Sequence, residues 1–125
     1  MSRKPHGEFP EYHTSADNLD FVKQEKLAES LDLLTNVVSI IENNKTYLNL
    51  NPKCEPQLGK RGLYKKIGGD IDSCEMQMAL LWVLNLSDGN YSLFDIAERS
   101  GYRFEIIHKA AKALLEVDLL KELVV

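Results

Sequence analysis

The sequence predicts a mainly α chain of the α+β class, a long amphipathic helix followed by a tight group of shorter helices that ends in a strand. Three observations carry this. Leu27, Leu31, Leu34, Val38 and Ile41 recur at spacings of four, three, four and three, which places them on one face of a helix. Met76, Met78 and the run Ala79-Leu80-Leu81-Trp82-Val83-Leu84 make a strongly apolar helix. Beyond that run, Ser92 marks a helix start and Ser100-Gly101 a turn.

Residues 1–12 hold Pro5, Gly7 and Pro10 among polar residues without periodicity, so an extended or disordered arm is expected. The first helix is predicted from about Leu19 to Asn43, with Ser15 or Asp17 capping its free amides and Asn43-Asn44 stopping it. Leu33, Val37 and Ile40 widen its stripe beyond what one neighbour requires. Thr46-Tyr47-Leu48-Asn49-Leu50 alternates as a short strand and ends at Pro52.

Residues 51–73 contain Pro52, Pro56, Gly59, Gly62, Gly68 and Gly69 and read as a loop or linker. A structureless connection of that length is usually functional or joins domains. Cys74 to Leu86 forms the next helix, ended by Ser87-Asp88-Gly89. Ser92 caps a short helix through Arg99, and a further helix runs from about Arg103 to Val117 with Phe104, Ile107, Ala111, Leu114 and Leu115 on one side. Leu119 to Val125 completes the chain as a strand. Three helices, a glycine turn between the second and third, and a trailing strand fit a winged helix-turn-helix. The expected division is therefore residues 1–44, a basic loop or linker over 45–73, and a winged-helix domain over 74–125.

A formal net charge of -4 with 27% charged residues excludes a general polyanion binder. The basic side chains gather in residues 45–66, where Lys45, Lys53, Lys60, Arg61, Lys65 and Lys66 face only Glu55. Cys54 and Cys74 fit no metal-ligand spacing and are expected to be reduced thiols. Neither an apolar run of 18 residues nor an apolar core in the first twenty is present, so no membrane partner and a cytoplasmic location are expected.

The stretch Tyr12-His13-Thr14-Ser15-Ala16-Asp17 resembles the His-Thr-x-x-Asp segment that carries the last metal-binding histidine of the co-catalytic zinc aminopeptidases. Glu55-Pro56-Gln57-Leu58-Gly59-Lys60-Arg61-Gly62-Leu63-Tyr64 with Ile67-Gly68-Gly69, and Leu84-Asn85-Leu86-Ser87-Asp88-Gly89 followed by Ser92-Leu93-Phe94-Asp95-Ile96-Ala97, resemble the bacterial aminopeptidase-like proteins with a carboxyl-terminal winged helix. The resemblance implies that His13 is a zinc ligand, that Asp17 steadies the segment bearing it, and that Tyr12 stabilises the transition state of peptide hydrolysis. It also implies that residues 1–44 are the end of a peptidase domain whose general base and other ligands lie upstream.

At 125 residues the chain cannot hold that α/β domain, whose βαβ units each take roughly 30 residues. A catalytic zinc needs three protein ligands, so zinc and a peptide substrate belong to the full-length family, and none is expected on the isolated chain. The expected partner is the missing upstream domain, or a second copy through the helix from Leu19 to Asn43. Lys60 and Arg61, flanked by glycines, are candidates for holding a substrate carboxylate or phosphate, or else a solvated linker pair. The other class of function is a winged-helix DNA-binding or protein-interaction module. There Arg103 and Lys109, with His108 and Lys112, would meet the duplex, but Glu105, Glu116 and Asp118 offset their charge, and nucleic acid is not an expected partner.

Overall fold

The computed structural model describes residues 4–63 and 73–123, in the order helix, strand, helix, strand, helix, helix, strand. Tyr64 and Ile67-Gly68-Gly69 of the second matching stretch, and the last two residues of the expected final strand, lie outside the described residues. The chain divides into two compact units, Met1–Ser39 and Ile40–Val125.

In the first unit, residues 4–22 form a run of turns rather than an extended arm. Successive amides reach back three residues, Glu8 to the Pro5 carbonyl, Tyr12 to Phe9, Thr14 to Glu11, Asp17 to Thr14 and Phe21 to Asn18, at 3.1–3.3 Å. These are consecutive turns, the structure that Pro5, Gly7 and Pro10 favour. The Phe9 ring sets their packing, 5.5 Å from Tyr12 and 5.8 Å from Phe21 between centroids.

Helix α1 spans Gln24–Asn43, five residues shorter at its start than periodicity suggests, and neither Ser15 nor Asp17 caps it. Asn18 is the cause. Its Oδ1 accepts from the Asp20 amide at 2.9 Å and its Nδ2 donates to the Ser15 carbonyl at 3.1 Å, a local turn that competes with helix. None of the residues of α1 is buried.

The second unit is built on three antiparallel strands in the order β2-β1-β3, with β1 Thr46–Asn49, β2 Asp88–Ser92 and β3 Leu120–Leu123. Helices α2 Ser73–Leu86, α3 Leu93–Ser100 and α4 Phe104–Leu115 pack against one another beside it. Their core is Leu80, Val83, Leu93, Ile96, Ile107 and Leu114, all at most 1% exposed. Strand β2 departs from the sequence reading, in which Ser87-Asp88-Gly89 is only a helix stop. Its partner decides the outcome, since β1 offers a free edge some 40 residues earlier in the chain.

The two compact units meet inside α1, between residues 39 and 40, and residues 45–63, expected as a loop or linker, pack with the second unit. Strand β1 is the central strand of the sheet and buries Tyr47. Leu58 and Leu63, after Pro56, join the same core at 1% and 2% exposure. A segment rich in proline and glycine is packed here because three apolar anchors hold it down, and composition alone does not weigh them. Residues 74–125 therefore lack the middle strand of their own sheet.

Local chemistry matches the expected ends of α3. Ser92 and Asp95 form a reciprocal capping box, with the Ser92 amide and hydroxyl donating to Asp95 Oδ2 at 2.8 and 2.7 Å. Gly101 closes the helix at φ 75, a left-handed position that glycine adopts without a Cβ clash. The Phe94 amide is taken up by Asn44 Oδ1 at 2.9 Å, and the Leu93 amide by the Lys45 carbonyl at 2.9 Å. These bonds tie the start of α3 to the chain that leads into β1.

Candidate functional site

Two places carry chemistry, one in each unit. In the first, Tyr12 is half-buried, with His13 at 4.1 Å and His6 at 5.7 Å between ring centroids. His13 is exposed and its backbone is left-handed, at φ 56. That conformation is uncommon outside glycine, though histidine, asparagine and aspartate adopt it more than other residues, and such strain clusters at functional sites. Thr14 stabilises it, its hydroxyl donating to the Glu11 carbonyl at 2.8 Å and accepting from the Ala16 amide at 3.2 Å. The threonine of the motif thus shapes the turn that presents the histidine. Asp17 is exposed four residues on.

Among the described residues no group of three or more His, Cys, Asp or Glu side chains is placed to hold an ion. The donor set of a catalytic zinc, three ligands with an open position, does not form within the described residues.

Lys60 and Arg61 are both exposed. Arg61 Nη1 donates to the Val117 carbonyl at 2.9 Å, which ties the loop to the turn after α4. Arg103, the N-cap residue of α4, and Lys109 and Glu105 on that helix are exposed. His108 is half-buried 6.0 Å from the Phe104 ring, and burial, with Lys112 nearby, pushes its pKa below the ordinary value. Cys54 is an exposed free thiol, so the two cysteines of the chain are not bridged.

The second place has no motif in the sequence to announce it. A cleft of about 680 Å³ opens in the winged-helix unit between α2 and the chain that leaves β1. Helix α2 lines it with Met78, Leu81, Trp82 and Asn85, at spacings of three, one and three, which is one helical face. Leu48, Asn49, Pro52 and Pro56 contribute from the other segment, and Ser87, Glu55 and Asp88 also line it. Asn49 braces the cleft: its Nδ2 donates to the Leu84 carbonyl at 2.8 Å and its Oδ1 accepts from the Asn51 amide at 2.9 Å. Ser87 is 2% exposed, and its hydroxyl has no hydrogen-bond partner among the described residues. The signal in the sequence is the apolar character of α2 on all faces. A helix of that kind must be covered on more than one side.

A sheet of three antiparallel strands beside three packed helices, the last two joined through Gly101, defines a winged helix-turn-helix. The chain belongs to that family, which matches residues 45–122. Residues 1–44 match a domain of unknown function. The chain is 57% identical, over 113 residues, to a Clostridium acetobutylicum protein provisionally named a polysaccharide biosynthesis protein with an aminopeptidase-like domain. That match covers 90% of this chain and 26% of the relative. A crystal structure from the same organism, provisionally named a peptidase, superposes with a TM-score of 0.78 at 52% identity over 92% of this chain and 24% of its own. The chain thus spans about a quarter of the length of the relatives it matches, and it is similar to the carboxyl-terminal part of an aminopeptidase-like protein. No helix among the described residues is long and apolar enough to cross a membrane.

Proposed function

We propose that this chain acts as the carboxyl-terminal segment of a zinc aminopeptidase-like protein that hydrolyses peptides. In this reading His13 contributes one ligand to a metal site held mainly by residues outside this chain, with Asp17 and Tyr12 beside it. Zinc bound there would polarise a peptide carbonyl and activate water. This chain's own part is to present the His13 imidazole on a strained turn braced by Thr14 and packed against Tyr12. By itself it carries no hydrolytic step, since it supplies neither the other ligands nor the general base.

The observation that carries the proposal is the unsatisfied face of α1. Leu27, Leu31, Leu34, Val38 and Ile41 lie on one side of that helix and are 45–68% exposed. Monomeric proteins rarely leave a contiguous apolar stripe open to water unless it meets a partner. The relatives are about four times longer than this chain and match it closely, which supports an upstream peptidase-like domain as the partner. The spacing of the same stripe also suits self-association. The winged helix is then an accessory module and not a reader of duplex DNA, because Glu105, Glu116 and Asp118 offset its cations.

The test is complementation. This chain is co-expressed with the Clostridium relative shortened by its matching quarter, and co-purification and zinc content are measured. We expect a complex that Leu31→Asp abolishes, and a loss of zinc with His13→Ala that leaves the complex intact. A complex that forms equally well with Leu31→Asp would overturn the docking role of α1. Unchanged zinc in His13→Ala would overturn the ligand role of His13.

A further inference from the structure

The cleft beside α2 has the size of a small-molecule site, which typically runs from about 300 to 1,000 Å³, and three features of its lining indicate what would fit. Its walls are apolar, with Met78, Leu81 and Trp82 on one side and Pro52 and Pro56 on the other. Its charged lining residues are Glu55 and Asp88, and among the described residues neither Lys nor Arg lines it. Lys53 is exposed in the same segment but is not among the lining residues. Lastly, Ser87 is almost wholly enclosed and its hydroxyl is without a partner among the described residues. A buried hydroxyl left unpaired costs free energy.

We infer that this cleft binds a small organic cation, a primary ammonium group carried on an aromatic or aliphatic body. An ammonium has three donors and no acceptor, and the acids Glu55 and Asp88 and the amide residue Asn85 are among the residues that line the cleft. The half-buried Trp82 ring adds an apolar platform whose face attracts cations. Asp88 is an ionised carboxylate at neutral pH, and the Asn90 amide, donating to its Oδ1 at 2.9 Å, holds the carboxyl below its usual pKa. Anionic ligands such as phosphates and carboxylates are disfavoured by the same two acids. The inference is independent of the peptidase reading, since it rests on the winged-helix unit alone.

Trp82 is the single tryptophan of the chain and lies in the cleft, so its fluorescence reports directly. The full chain is titrated at low ionic strength with three probes of similar shape and different charge, 2-phenylethylammonium, 2-phenylethanol and 3-phenylpropionate. We expect saturable binding of the ammonium with a dissociation constant on the order of 1 mM or tighter, at least about tenfold weaker binding of the alcohol, and none for the carboxylate. The double variant Glu55→Gln, Asp88→Asn should weaken the ammonium about tenfold and leave the alcohol unchanged, a split that general unfolding would not give. Circular dichroism of the variant checks that it is folded. No saturable response to the ammonium, equal affinity for the three probes, or an ammonium affinity unchanged in the double variant would each overturn the inference.

Discussion

Leu58 sits in the stretch whose composition reads as a linker, yet it is 1% exposed within the winged-helix core. Replacing it with alanine removes three buried carbons, worth about 2.4 kcal/mol at roughly 0.8 kcal/mol each. The cavity left behind raises the cost into the range of about 2–5 kcal/mol seen for such truncations. For a unit of this size each kcal/mol lowers the melting temperature by about 4–8 °C. A loss of about 3 kcal/mol therefore predicts a fall of about 12–24 °C. Leu50 is the internal control, since it lies eight residues earlier in the same connection and is 51% exposed. Leu50→Ala should stay within about 0.5–1 kcal/mol of the parent. Thermal melts followed by circular dichroism on the parent and both variants provide the comparison. If Leu58→Ala melts within a few degrees of Leu50→Ala, the segment is a linker after all and the argument for a domain beginning in α1 fails.

Asp95→Ala removes the carboxylate half of the α3 capping box, the bonds accepted from the Ser92 amide and hydroxyl, while the amide of residue 95 still donates to Ser92 Oγ, and should cost about 1 kcal/mol at neutral pH. The Ser92 hydroxyl and amide hold the Asp95 carboxyl below its ordinary value. Its contribution is therefore present above the unfolded pKa of about 3.9 and is lost as pH falls through the folded value. Melts of parent and variant should converge on acidification below that range, and a stability gap that stays constant to about pH 2 would contradict the assignment. Toward duplex DNA, the full chain should bind no tighter than the nonspecific range, about 1–100 µM at physiological salt. Sequence-specific, submicromolar binding lost in both Arg103→Ala and Lys109→Ala would reverse the placement of the winged helix as an accessory module.

The helices of this protein are legible in the sequence because the evidence for each is local. The stripe from Leu27 to Ile41, the capping pair Ser92 and Asp95, and Gly101 are all written within a few residues of the structure they specify. The His-Thr-x-x-Asp segment is legible in the same way, as a motif, although its threonine proves to brace the turn. The tertiary structure decided matters that involve residues far apart in the chain. Strand β2 exists because β1 offers it an edge, and residues 45–63 became core because Tyr47, Leu58 and Leu63 meet helices that begin after residue 72. The cleft beside α2 arises likewise, from a helix face and a proline-bearing segment that starts some 30 residues before it. Turn signals, caps and periodicity act over a few residues, whereas edge pairing and burial depend on which distant surfaces come together. Sequence alone thus determined the helices and the histidine-bearing motif. Only the packing decided that residues 45–63 join the winged-helix core and where a ligand could enter it.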